Sequence, residues 1–169
     1  MAGYGKAFGM KVSIWGRECS LSRARGDSYA VFSDRRELFQ QSDVLTLHLR
    51  LNDETRGIVG PADFALMKPD SLIVNTSRAE LIQAGALEAA LVASRPGFAA
   101  VDVYEEEPVL GGSHPLLKLP NSMCTPHLGY VERDSYELYF GQAFDQVIAF
   151  GSGRPINVVN PEALGVPRD

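Results

Sequence analysis

The chain has 169 residues and a formal net charge of −5, with 45 % hydrophobic and 22 % charged residues. That is the size and composition of one globular domain, able to bury about two thirds of its unfolded surface, which excludes a disordered or collagen-like chain. The acidic balance argues against nucleic acid as a partner, no apolar run reaches the roughly 20 residues of a membrane span, and Met1-Ala2-Gly3-Tyr4-Gly5-Lys6 is no secretory signal, so the cytoplasm is the default compartment.

Taken in order, Ala2 to Phe8 reads as the last turns of a helix with Gly9 as its stop. Gly3 and Gly5 suggest a G-x-G-x-x-G loop, but the third glycine falls one place late and no strand fits before Gly3. Lys11 to Trp15 alternates as a short strand ended by Gly16, and the basic cluster Arg17, Arg23 and Arg25 reads as a solvated loop. Asp34 followed by Glu37 marks a helix start, and Asp43 to Leu49 a buried strand. Asn52 to Gly57 is turn-rich, and Pro61 suits the first position of a helix running to about Met67. Leu72-Ile73-Val74 reads as a strand buried on both faces, Ala84 to Ser94 as a helix stopped by Arg95-Pro96-Gly97, and Phe98 to Val103 and Ser122 to Cys124 as two more strands.

Strands alternating with helices at these spacings predict an α/β, doubly wound parallel sheet. Glu105 to Pro120 is too long for a mere connector, which makes it a functional-site candidate. Glu132 to Phe150 carries apolar residues at helical spacing, including Tyr136, Tyr139, Phe140, Ala143, Phe144, Val147 and Ile148, and is broken by Gly151-Ser152-Gly153. The tail Arg154 to Asp169, with Pro155, Pro161 and Pro167, has no helical or strand period.

In open α/β sheets ligands sit at the carboxyl ends of the strands. Asn75-Thr76-Ser77-Arg78, Tyr104-Glu105-Glu106-Glu107-Pro108 and Thr125-Pro126-His127-Leu128-Gly129 each follow a separate apolar strand, so an arginine, a carboxylate and an imidazole have the chance to converge. Arginine holds a carboxylate with two charge-assisted hydrogen bonds, an imidazole exchanges a proton with a carbonyl or hydroxyl, and a carboxylate beside it fixes its orientation. Together these describe reduction of a 2-oxo acid, with a hydride that only a cofactor can carry. Each piece alone also has a plain reading: a solvated arginine, an acidic loop, a turn histidine. His48 is expected to be buried and structural, and His114 exposed. Cys19 and Cys124 lie far apart and read as reduced thiols, and the three scattered histidines give no metal site.

The ordered set Val74-Asn75-Thr76-Ser77-Arg78, Val101-Asp102-Val103-Tyr104-Glu105-Glu106-Glu107-Pro108, His114-Pro115-Leu116 and Thr125-Pro126-His127-Leu128-Gly129 resembles the motifs of the D-isomer-specific 2-hydroxyacid dehydrogenases. The resemblance runs from Gly9 to Pro161 and implies a Rossmann-like, NAD-binding domain. It implies Arg78 as the substrate clamp, His127 as general acid/base and Glu107 as its partner, with Thr76 and Ser77 near the nicotinamide ribose and Asp102 and Gly129 near the carboxamide. It implies a homodimer and a small 2-hydroxy or 2-oxo acid as substrate. Residues 1–150 would be the dinucleotide-binding domain lacking its first strand and glycine-rich loop, and 151–169 a tail returning to a substrate domain that is mostly absent. At the end of the strand Lys11 to Trp15, where relatives that use NAD carry an acid, Gly16 and Arg17 stand here, which leaves NADP open, with Glu18 as an acid that would serve NAD. A dinucleotide-sensing, corepressor-like module and an inactive fragment are the alternatives to an enzyme.

Overall fold

The computed structural model describes residues 1–165, in two compact units, 1–127 and 128 onward. The first unit opens with α1 (Ala2–Ala7), followed by Gly9 with φ +79°, a left-handed turn that suits glycine. Then come β1 (Ser13–Ile14), α2 (Glu18–Gly26), β2 (Ala30–Val31), α3 (Arg35–Gln41), β3 (Val44–Leu47), α4 (Pro61–Phe64), β4 (Leu72–Asn75), α5 (Ala86–Val92), β5 (Phe98–Val101) and β6 (Ser122–Cys124). Short 3₁₀ turns occupy Ala79–Leu81 and Pro115–Lys118.

All strand pairs are parallel, in two sheets: β1-β2 and β3-β4-β5-β6. Parallel neighbours need a crossover between them, and the alternation of strand and helix supplies it. In the larger sheet Leu47, Asn75, Val101 and Cys124 stand side by side in register, so the segments after them leave from one edge. One face of this sheet is fully buried: Leu45, Leu47, Ile73, Ala99 and Val101 pack with Phe64, Met67, Leu81, Leu87 and Leu91. Each of these side chains larger than Ala99 stabilises the fold by about 1.5–3 kcal/mol relative to exposure.

Local chemistry explains the element starts. Asp34 Oδ1 accepts the Arg36 N–H at 2.9 Å, the cap that its position foretells. Pro61 opens α4, where Asp63 accepts the Gly60 N–H at 2.8 Å and is also bonded by Arg35, which reaches the Ile58 carbonyl too. Lys68 Nζ pairs with Asp43 at 2.6 Å, tying the approach to β4 to the start of β3.

Several expectations are corrected. The basic cluster is not a loop: Arg17 caps α2, and Arg23 and Arg25 lie in its last turn, where cations complement the helix dipole. The helix buries only Leu21 and Ala24, too narrow an apolar stripe to stand out in sequence. β2 is two residues long and carries no periodic signal. In β4 only Ile73 and Asn75 are buried, with Leu72 and Val74 half-buried, so the strand is not enclosed on both faces. His48 is exposed, its ring 3.0 Å from the Thr46 hydroxyl, because β3 ends before it.

The second unit holds α6 (Arg133–Gly151), then a 3₁₀ turn at Pro161–Gly165 within the tail that was expected to lack a helical period. Pro167 and the end of that tail lie outside the described residues. The long helix was legible from its periodicity, yet it buries no residue: Tyr139, Phe144, Val147 and Ile148 are all more than 60 % exposed. Among the described residues no helix is long and apolar enough to cross a membrane.

Candidate active site

Arg78, Asp102, Glu107 and His127 all leave the same edge of the larger sheet, after β4, β5 and β6. Neighbouring strands are about 4.8 Å apart, so the outermost of these departures are separated by about 10 Å, the span of a small ligand.

The turn after β4 is built on Asn75. Its side chain is 2 % exposed; Oδ1 accepts the Ser77 N–H at 3.1 Å and Nδ2 donates to the Arg78 carbonyl at 2.9 Å. This Asx-type turn is why the polar run bends instead of continuing the strand. The Ser77 hydroxyl donates to the Leu49 carbonyl at 3.1 Å, anchoring the turn to the segment after β3. Thr76 and the Arg78 side chain face solvent, and the guanidinium donates to the Ser77 carbonyl at 2.7 Å.

After β5 stands Asp102, 5 % exposed, its N–H bonded to the Asn75 carbonyl at 3.0 Å and Oδ1 accepting the Thr125 hydroxyl at 2.5 Å. Tyr104 follows, 7 % exposed. Its N–H donates to Glu107 Oε1 at 2.9 Å and its hydroxyl donates to the Thr125 carbonyl at 2.9 Å. Burial first, then the neighbouring Cys124, Asp102 and Glu107, push the Tyr104 phenol well above its ordinary value, so it stays protonated and able to donate.

After β6, the His127 N–H bonds back to the Thr125 carbonyl at 3.0 Å, closing a three-residue turn over Pro126. His127 itself has φ +55°, in the left-handed region that a side chain rarely adopts. Its Nδ1 lies 2.6 Å from Glu107 Oε2, both side chains about one-third exposed. The Glu107 carboxyl is held below its ordinary value of 4.5, chiefly by this hydrogen bond; burial opposes the shift, and the Tyr104 N–H and the charges of His127 and Arg78 add to it. An ionised carboxylate can only accept, which places the proton on Nδ1 and leaves Nε2 as the nitrogen that exchanges a proton with a ligand. The effect of Arg78 on Glu107 also brings the guanidinium into the electrostatic reach of the pair.

A pH dependence follows. A carboxyl with a lowered folded pKa contributes stability that is complete above its ordinary range and is lost as pH falls through the lowered value. For so exposed a pair the contribution is within about 1 kcal/mol. Urea midpoints of the wild type and Glu107→Gln, compared from about pH 3 to 7, are expected to differ at neutral pH and converge at the acid end. A gap independent of pH would refute the assignment.

His114 was expected to be exposed, but its side chain is only 14 % so. Nε2 lies 3.1 Å from Glu105 Oε2, Nδ1 accepts the Leu116 N–H at 3.3 Å to cap the second 3₁₀ turn, and the ring meets that of Tyr104 edge-on at 5.0 Å. The loop it folds is thus ordered around the tyrosine. Arg17 is exposed at the start of α2, away from these strand ends in sequence, and Glu18 is engaged by Arg25 at 2.7 Å. Gly129 lies in the second unit, two residues beyond His127. Residue types missed from sequence are Asn75, Tyr104 and Thr125; the Asn-x-Ser spacing after an apolar strand was the available signal for the first.

Residues 1–129 match the family described as D-isomer specific 2-hydroxyacid dehydrogenase, NAD binding domain. The chain belongs to that family. It is 36 % identical over 169 residues to the glyoxylate reductase of Aeropyrum pernix, covering 98 % of this chain and 49 % of the relative. A crystal structure of a phosphoglycerate oxidoreductase from Vibrio cholerae superposes with a TM-score of 0.85 at 54 % identity, covering 90 % of this chain and 48 % of that one. An oxidoreductase from Ralstonia solanacearum gives a TM-score of 0.90 at 55 % identity over 98 % of this chain and 48 % of its own. The chain therefore spans about half the length of the relatives it matches.

Proposed function

We propose that this chain is the cofactor-binding part of an NAD(P)-dependent dehydrogenase that moves a hydride between the nicotinamide and C2 of a small 2-hydroxy or 2-oxo acid. The observation that carries the reading is the Glu107–His127 pair at 2.6 Å on the sheet edge that also presents Arg78. Arg78 would take the substrate carboxylate in a bidentate grip, and His127 would give or take the proton at the C2 oxygen through Nε2. Glu107 keeps the imidazole in that orientation. NAD, when bound, supplies or accepts the hydride. The residues present fit its nicotinamide end: Asp102 offers an acceptor-only carboxylate for a carboxamide, and the exposed Thr76 and Ser77 follow Asn75, whose carbonyl the Asp102 N–H bonds at 3.0 Å. Arg17, exposed and not claimed by a salt bridge among the described residues, keeps NADP in play, whereas Glu18 is already paired with Arg25.

Residues 1–150 would form the dinucleotide domain, and 151–169 would lead to a substrate domain. The exposed apolar side chains of α6 support a homodimer, and two free cysteines, one exposed, fit a reducing cytoplasm.

The test is direct. A protein carrying this chain with its substrate domain is expected to oxidise NADH or NADPH with glyoxylate or hydroxypyruvate, and Arg78→Ala to lower kcat/KM about 10²-fold, because a lost clamp forfeits positioning. Near-normal turnover of that variant would count against the assignment. Sedimentation of the same preparation reads the dimer. The corepressor-like alternative would instead bind NADH without oxidising it in the presence of either acid.

A further inference from the structure

We infer that Tyr104 is a positioning residue that holds Glu107 and His127 in register with each other. It is one residue with a grip on both halves of the pair: its backbone N–H fixes Glu107 Oε1 at 2.9 Å and its hydroxyl fixes the Thr125 carbonyl at 2.9 Å. That carbonyl is the one the His127 N–H bonds at 3.0 Å, so the phenol is tied to the root of the turn on which the imidazole stands.

The tyrosine can serve as a reference because it is itself packed on several sides. It is 7 % exposed, and its ring lies edge-on to His114 at an interplanar angle of 66°. His114 in turn is bonded to Glu105 and to the Leu116 N–H. The loop after β5 is thereby stitched to itself and, through the phenol, to the end of β6. A second anchor comes from Asp102, whose Oδ1 takes the Thr125 hydroxyl at 2.5 Å. Thr125 is held from both sides and the turn after it has little freedom.

The turn needs such support. A non-glycine residue at φ +55° is strained and persists only where its surroundings over-determine it. Phenylalanine at 104 would fill the same space and keep the backbone bond to Glu107, but would withdraw one of the two donors from the Thr125 carbonyl. The imidazole would then lose its fixed distance to Glu107 Oε2 while the carboxylate stayed in place. The positioning stands on geometry alone; its value to catalysis rests on the function proposed above.

The experiment uses this chain labelled with ¹⁵N, and reads the two ring nitrogens of His127 by long-range correlation at about pH 9, well above the ordinary imidazole value of about 6.5. The wild type is expected to show one dominant tautomer, protonated at Nδ1. Tyr104→Phe is expected to shift the tautomer ratio about five-fold toward the Nε2 form, the size of one ordinary hydrogen bond, with the amide spectrum of β3 to β5 unchanged. A folded Tyr104→Phe with wild-type ring shifts would overturn the inference. Should that variant not fold, 3-fluorotyrosine at 104 keeps the ring and makes the hydroxyl a stronger donor; His127 shifts must then move, and their constancy would overturn it equally. In the complete enzyme Tyr104→Phe is expected to lower kcat with the KM for the dinucleotide unchanged. If the wild-type enzyme turned over no 2-oxo acid while the ring shifts still answered to Tyr104→Phe, the functional reading would fail and the positioning would stand.

Discussion

His127→Gln in the complete enzyme is expected to lower kcat/KM by about 10²–10⁴-fold, the range that general acid–base catalysis contributes. Glutamine approximates the size and hydrogen-bonding reach of the imidazole but cannot exchange a proton near neutral pH. The loss should fall on the chemical step, because Arg78, Thr76 and Asp102 leave from other strands, β4 and β5. Dinucleotide affinity, read by quenching of NADH fluorescence, should change less than threefold. Turnover within tenfold of wild type would remove His127 from the reaction, and with it the meaning of its 2.6 Å pairing with Glu107.

Gly97→Ala is expected to cost about 3 kcal/mol or more of folding stability, measured by urea unfolding of this chain. A Cβ at Gly97 would stand 2.0 Å from the Pro69 carbonyl oxygen, 3.0 Å from its carbon and 3.4 Å from Asp70 Cα, all backbone atoms. Overpacking a tight site costs about 1–3 kcal/mol even where flexible side chains can yield. Here the backbone cannot easily withdraw: Phe98 N–H bonds the Ser71 carbonyl at 3.0 Å, Asn121 donates to the Gly97 carbonyl at 2.9 Å, and Arg95 donates to the Met67 carbonyl at 3.0 Å. These bonds fix the starts of β4 and β5 side by side. A midpoint unchanged from wild type would show that the Pro69 turn moves aside. Since Gly97 lies at the end of β5 remote from Asp102, the ring signals of His127 in the folded fraction should stay as they are.

Legibility followed the range of the forces involved. The Asp34 cap, the Pro61 start, the Gly9 stop and the strands β3 to β6 depend on neighbours a few residues away, and each was readable in place. Helix α2 was missed because Arg17, Glu18, Arg23 and Arg25 mask the pair Leu21 and Ala24, whose i, i+3 spacing was its only apolar sign. His48 and His114 were assigned the wrong exposures for one reason: burial of a polar ring depends on what the fold brings to it. Glu105 and Tyr104, nine and ten residues before His114, enclose it, and nothing encloses His48 to that degree. The strand ends that carry Arg78, Glu107 and His127 could be listed from sequence, since a parallel sheet must send them to one edge. The bracing by Tyr104 and Thr125 could not, because hydrogen bonds such as that of Tyr104 to Thr125 join residues 21 apart, whereas the Asn75 turn spans three residues and its Asn-x-Ser spacing was a local signal. The periodicity of α6 foretold an apolar face, but periodicity says nothing of what covers such a face.

The parallel register sorts the connections of the larger sheet into two groups with different freedoms. Segments entering the strands, such as 68–71 and 93–97, are short and pinned by backbone bonds, and a change there taxes folding. Segments leaving them, such as 48–60 and 102–114, are longer and carry the polar groups. Selection for a new substrate can therefore work on the second group with little penalty in folding, so one scaffold can yield divergent specificities by altering only its exits.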